Sequence, residues 1–129
     1  VKLKESSVSI AGDEDNSKTL RLSGALSEWL FATGFWSEVN AVCGTMFDQY
    51  EEDMADSGVL NVIQQKIDQR VSELRSAATS TVEFVHGWSA DRTPLTATAK
   101  TQDFADELIK LQHFLREAVS EDSSAYFSL

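Results

Sequence analysis

Two periodicities divide this chain and limit what it can fold into. From Leu26 to Val119 apolar residues recur mostly at steps of three and four, which lines one face of an α-helix. Near both ends they alternate with polar residues, the spacing of a half-buried strand. Val8 and Ile10 alternate with Ser7 and Ser9, and Leu20 and Leu22 with Thr19 and Arg21. The polar stretch 12–18 lies between them, which predicts a β-hairpin. Ser23-Gly24 then opens a short helix with Leu26, Trp29 and Leu30 on one face and Gly34 as its stop.

A longer helix is predicted from Phe35, because Phe35, Val39, Val42, Met46, Tyr50 and Met54 follow the helical step and Trp36, Cys43 and Phe47 broaden the stripe. Gly44 lies inside it at a cost of about 1 kcal/mol against Ala, which close approach of another helix would explain. Asp56-Ser57-Gly58 breaks the pattern. It resumes through Val59, Leu60, Ile63, Ile67, Val71, Leu74, Ala78, Val82 and Val85. An unbroken helix over 59–86 would be about 40 Å long, so a kink or break is expected near Thr79-Ser80-Thr81. Turn signals fill 87–100, including Pro94, and Leu95-Thr96-Ala97-Thr98-Ala99 alternates as a strand. Thr101 reads as an N-cap with Asp103 in the first turn of a final helix carrying Phe104, Leu108, Leu111, Leu115 and Ala118. Ala125-Tyr126-Phe127-Ser128-Leu129 reads as a closing strand. The expected architecture is one α+β domain over 1–129, mainly helical. A small antiparallel sheet, made of the N-terminal hairpin and strands near 95–99 and 125–129, packs against three to four amphipathic helices.

Charge narrows the partners. With 21 acidic and 11 basic residues the net charge is −10, which repels nucleic-acid phosphate and anionic membrane surfaces. A basic protein is the favoured partner, and solubility alone is the simpler use of the same charge. The single cysteine, Cys43, rules out an intramolecular disulfide and fits a reducing cytoplasm. No apolar run is long enough for a transmembrane helix, and no signal-peptide core follows Val1-Lys2-Leu3-Lys4-Glu5. Oligomeric state is left open.

Candidate chemistry is sparse. Glu83-Phe84-Val85-His86 has the Glu-x-x-His spacing of di-iron bundles, but His113 has Lys110 where the second glutamate belongs. A histidine near a helix end, meeting backbone carbonyls, is the simpler reading of His86. His113 and Glu117 are spaced for a surface pair on one helix face. Asp13-Glu14-Asp15-Asn16-Ser17 begins like a calcium loop, yet Lys18 and Gly24 stand where glycine and a bidentate glutamate are required. Cys43 lies on the apolar stripe and reads as a buried thiol. No nucleophile elbow, phosphate loop or dinucleotide turn is present, so no catalytic residue, metal or cofactor is assigned and an enzyme is not expected.

The acidic run is the strongest functional candidate. Asp48, Glu51, Glu52, Asp53 and Asp56, with Tyr50 among them, fall in nine residues without a basic side chain. In a helix, Asp48/Glu52 and Glu52/Asp56 would be repelling pairs near the end where negative charge is least favoured. Such a conflict points to a partner-binding surface, the plainer alternative being a solvated helix end. The leading hairpin, the central helices, Leu95-Thr96-Ala97-Thr98-Ala99, the helix over 104–119 and Tyr126-Phe127-Ser128-Leu129 together resemble small bacterial immunity proteins. That resemblance is one of organisation and acidity. It implies stoichiometric neutralisation of a basic toxin, with carboxylates presented to residues that grip phosphate. An acidic secretion chaperone or adaptor, and a small enzyme or ligand-binding domain using His86 or His113, are the alternatives.

Overall fold

The computed structural model describes residues 3–10 and 18–129; the calcium-like run Asp13 to Ser17 lies outside the described residues. Along the chain run β1 (Ser6–Ile10), β2 (Thr19–Leu22), α1 (Gly24–Ala32), α2 (Phe35–Cys43), β3 (Glu52–Ala55), α3 (Ser57–Ser76), β4 (Thr81–Trp88), β5 (Pro94–Lys100), α4 (Thr101–Ser120) and β6 (Ala125–Ser128). The fold is α+β, mainly helical, with antiparallel sheet. Among the described residues no helix is long and apolar enough to cross a membrane.

The expected hairpin forms, and the closing strand returns to it. A four-stranded antiparallel sheet has the order β2-β1-β6-β3. Val8 lies between Leu20 and Phe127 in register, and Ile10 lies beside Ala125. One face therefore buries Val8, Ile10, Leu22, Ala55, Ala125 and Phe127 against the helices. The other face carries Ser7, Ser9, Thr19, Arg21, Ser128, Tyr126, Glu52 and Met54. Phe127 packs with Trp36 and Phe47, ring centroids 5.5 and 5.4 Å away, and Trp36 meets Phe35 at 5.0 Å. The strand near 95–99 forms but does not join this sheet. It becomes β5 of a separate two-stranded ribbon with β4.

Two predicted helices are shorter than their stripes. The helix from Phe35 ends at Cys43, because Gly44 adopts φ +68° and caps it through its N–H on Asn40 O. A Cβ there would meet nothing within 4 Å, so Gly44 serves conformation and not close packing. Asn40 then gathers the next turn: its side-chain oxygen accepts from Phe47 N at 2.9 Å and Thr45 Oγ1 at 2.8 Å, and its amide donates to Phe47 O at 2.9 Å. Phe47 is thereby carried into the aromatic cluster, while Val42, Met46, Tyr50 and Met54 of the predicted stripe are exposed. Cys43 is half-buried.

The helix over 59–86 stops at Ser76, and the chain turns into strand at the Thr/Ser/Val run. Val82 and Phe84 alternate inward with Glu83 outward. Glu83 and His86 are therefore on a strand, not on one helical face, and His86 does not sit at a helix end. Thr101 is the first helical residue and not the cap; its hydroxyl donates to Thr79 O at 3.2 Å and its N–H to Ser80 O at 2.9 Å. Arg70 of α3 fixes the α1–α2 corner, donating to Thr33 O at 3.1 Å and Glu38 Oε2 at 2.6 Å. Its guanidinium also lies over Phe35. The paired guanidinium holds the Glu38 carboxyl below the usual carboxylate range, against partial desolvation.

Candidate functional site

The acidic run is not helical. It forms an exposed turn followed by the edge strand β3, so the repulsion expected between Asp48/Glu52 and Glu52/Asp56 at helical spacing does not arise. The turn closes with Glu51 N donating to Asp48 O at 3.3 Å, and Asp48 Oδ1 accepts from Gln49 N at 2.8 Å. Tyr50 stands in this turn at φ +66° and is 71% exposed. A bulky residue in the left-handed region is strained by about 1–3 kcal/mol, and such strain clusters at functional sites. Leu129 N donates to Glu51 O at 2.9 Å, which pins the end of the turn to the sheet.

Asp48, Glu51 and Glu52 are exposed, and Asp53 is half-buried in register with Phe127. An inward-leaning charge on a short edge strand also guards that edge against pairing with another chain. Met54 is opposite Tyr126, whose hydroxyl donates to the Glu52 carboxylate. That hydrogen bond, with the neighbouring negative charge, raises the Tyr126 phenol above its ordinary value. Asp56 serves the neighbouring helix instead, since its Oδ1 accepts from Val59 N at 3.0 Å and caps α3. Among the described residues ion pairs join Lys18 to Glu121 and both Lys66 and Arg70 to Glu38, and none reaches the 48–56 carboxylates.

Tyr50 also walls a cleft of about 500 Å³, together with Leu3, Glu28, His86, Trp88 and Leu95. Lys4 and Glu5 line it too. Gly24 makes this wall, since a Cβ there would stand 2.5 Å from Leu3 O; only glycine lets the N-terminal segment lie on the start of α1. On the ribbon side a register shift between Val85 and Gly87 inserts His86 as an extra residue, and bulges of this kind redirect a side chain. Glu28 is 8% exposed, and Gln49 Nε2 donates to its Oε1 at 2.7 Å. Lys4 Nζ lies 5.6 Å from the Tyr50 ring centre and donates to Leu129 O at 2.7 Å.

His86 is thus half-buried in a cleft, whereas His113 is exposed on α4 and lines a separate depression with Arg116, Glu117 and Ser120. His113 and Glu117 make no ion pair among the described residues. No group of three or more His, Cys, Asp or Glu side chains there is arranged to hold a metal ion. Sequence reasoning missed Glu28 and Trp88. The signal for Glu28 lay in α1, GALSEWLFA, a helix apolar on nearly every side, in which a carboxylate has little choice but burial. Compared with protein-family models, curated proteins and solved structures, the chain matches none.

Proposed function

We propose that this chain is an acidic protein-binding domain, an immunity protein that neutralises a basic toxin by stoichiometric binding. One observation carries the reading: Asp48, Glu51 and Glu52 stand exposed around Tyr50 and Met54 on a turn and sheet edge, and no described Lys or Arg forms an ion pair with them. Apolar anchors ringed by charge are the anatomy of a protein interface. Unpaired carboxylates there speed the encounter with a basic surface and exclude acidic ones. The net charge of −10 acts in the same direction over longer range.

Co-expression with a toxin encoded beside it should yield a 1:1 complex. Affinity should fall at least about tenfold between roughly 50 and 500 mM salt, where the Debye length shrinks about threefold. Combined Asp48→Lys, Glu51→Lys and Glu52→Lys substitutions should weaken binding by a similar factor in low salt. Salt-independent affinity would eliminate the electrostatic mechanism. A second reading, a ligand-binding domain using His86, is favoured by the cleft that this histidine lines.

A further inference from the structure

We infer that the cleft beneath Tyr50 is a receptor for one cationic side chain, lysine or arginine, of a basic polypeptide. Its floor holds Glu28, more than nine-tenths buried yet lining the cleft. Gln49 satisfies one carboxylate oxygen. The other has no hydrogen-bond partner among the described residues, and unlike Arg70 Nε it is not sealed from solvent. No ion pair reaches Glu28 there. Water reaches that oxygen in the free protein, and an occupant that displaces the water leaves the carboxylate unsatisfied unless it brings a cation or donor of its own.

The rim supplies the rest of such a receptor. Tyr50 and Trp88 also line the cleft and are 71% and 66% exposed, large rings left in water. Aromatic faces attract ammonium and guanidinium groups, Trp most strongly. The chain shows this on itself, since the Lys4 ammonium lies over the Tyr50 ring. Lys4 is not bonded to Glu28, so the floor stays free while the rim is occupied. An incoming cation therefore gains a charge-assisted bond to Glu28 and the aromatic face of Trp88, and shares Tyr50 with Lys4. Neutral apolar occupants would leave the carboxylate desolvated without a partner, and anions would be repelled by it. Tyr50 belongs both to this cleft and to the acidic turn, so the inference deepens the proposed function and in part rests on it. The cleft chemistry can nevertheless be tested with no toxin in hand.

The probes are Nα-acetyl-lysine amide, Nα-acetyl-arginine amide and the uncharged Nα-acetyl-norleucine amide, titrated into the full chain. The Trp88 indole NH resonance reports occupancy, because Trp29 and Trp36 are buried. At least one cationic probe should shift it saturably in the millimolar range, roughly 1–10 mM, and the norleucine probe should not. Glu28→Gln, which keeps the contact with Gln49, should weaken the cation by about 10-fold or more. Tyr50→Gly should also weaken it while relieving the positive φ, and an unfolding midpoint at or above the parent's, measured on the same sample, separates lost binding from lost fold. Absence of saturable binding, equal binding of norleucine, or an unchanged affinity in Glu28→Gln would overturn the inference. If a basic partner responds to charge reversal at Asp48, Glu51 and Glu52 but not to Glu28→Gln, the cleft inference fails and the protein-binding function stands. If the small probes bind as expected and charge reversal changes nothing, the function fails and the cleft stands.

Discussion

The four-stranded sheet and the β4–β5 ribbon are built by the same antiparallel pairing, yet they do different work. The sheet buries a full face: Val8, Leu22, Ala55, Ala125 and Phe127 are each no more than 2% exposed. The ribbon sinks one large side chain, Phe84, which meets Phe104 at 6.1 Å, and leaves Val85, Trp88 and Leu95 in part to solvent. Two strands alone are marginal in water and hold only where they are anchored. The sheet is therefore the scaffold, and the ribbon is a wall whose exposed residues are free for binding.

The largest expected effect breaks that contrast from the sheet side. Phe127→Ala removes the ring between Trp36 and Phe47 and should cost about 3–5 kcal/mol, read from urea unfolding. Phe84→Ala should cost less globally, about 1–3 kcal/mol, and act locally. Amide exchange in β4 and β5 should speed up while β1 and β6 keep their protection. Equal acceleration in both would show that the ribbon is part of the same cooperative unit as the sheet.

A smaller effect separates the two regions by pH. Glu38 pairs with buried Arg70 at the helical corner, and Asp91 accepts from Ser89 in the ribbon turn; both carboxyls are held below their ordinary values by those hydrogen bonds. A lowered folded value means that the unfolded chain binds more protons, so the contribution is complete above the ordinary carboxylate value. It is lost as pH falls through the lowered one. The Glu38 side chain is 40% exposed, so screening keeps its share below about 1 kcal/mol. Glu38→Gln should flatten the acid limb of the stability curve. Asp91→Asn should flatten that limb less, because Asp91 bonds only within the exposed turn.

What the sequence revealed follows from how much each segment depends on distant contacts. The hairpin, α1, the body of α3, α4 and β6 carry their own period and were legible. β3 was not: Glu52-Asp53-Met54-Ala55 has no β-branched residue and is half acidic, and it is a strand because β6 offers it a free edge. β4 was concealed because Val82 and Val85 fit a helical step, although Phe84 between them fits only an alternating one. Of the candidate site, Asp48, Tyr50, Glu51, Glu52, Asp53 and Asp56 stand out in the sequence through charge density and an expected helical repulsion, and the repulsion disappears because the run is a turn and strand. Glu28 and Trp88 reach the cleft by folding, from segments far apart in the chain, and no local spacing joins them to Tyr50.

The smallest effect is that of Asp56→Asn, where the sheet's edge hands over to α3. Asp56 belongs to the acidic run by sequence but satisfies the first turn of α3 through Val59 N. Asp56→Ala should cost about 1 kcal/mol, and Asp56→Asn almost nothing, because an asparagine oxygen accepts the same bond. Partner affinity then decides its role. If Asp56→Asn, stable as the parent, weakens a basic partner as much as Asp48→Asn does, the binding edge extends to residue 56. If affinity is unmoved, the edge ends at β3 and Asp56 is a cap that happens to be charged. Tyr50→Gly provides the opposing control, because it should raise stability by relieving the turn while reducing affinity, so that stability and binding move in opposite directions at one end of the run and separately at the other.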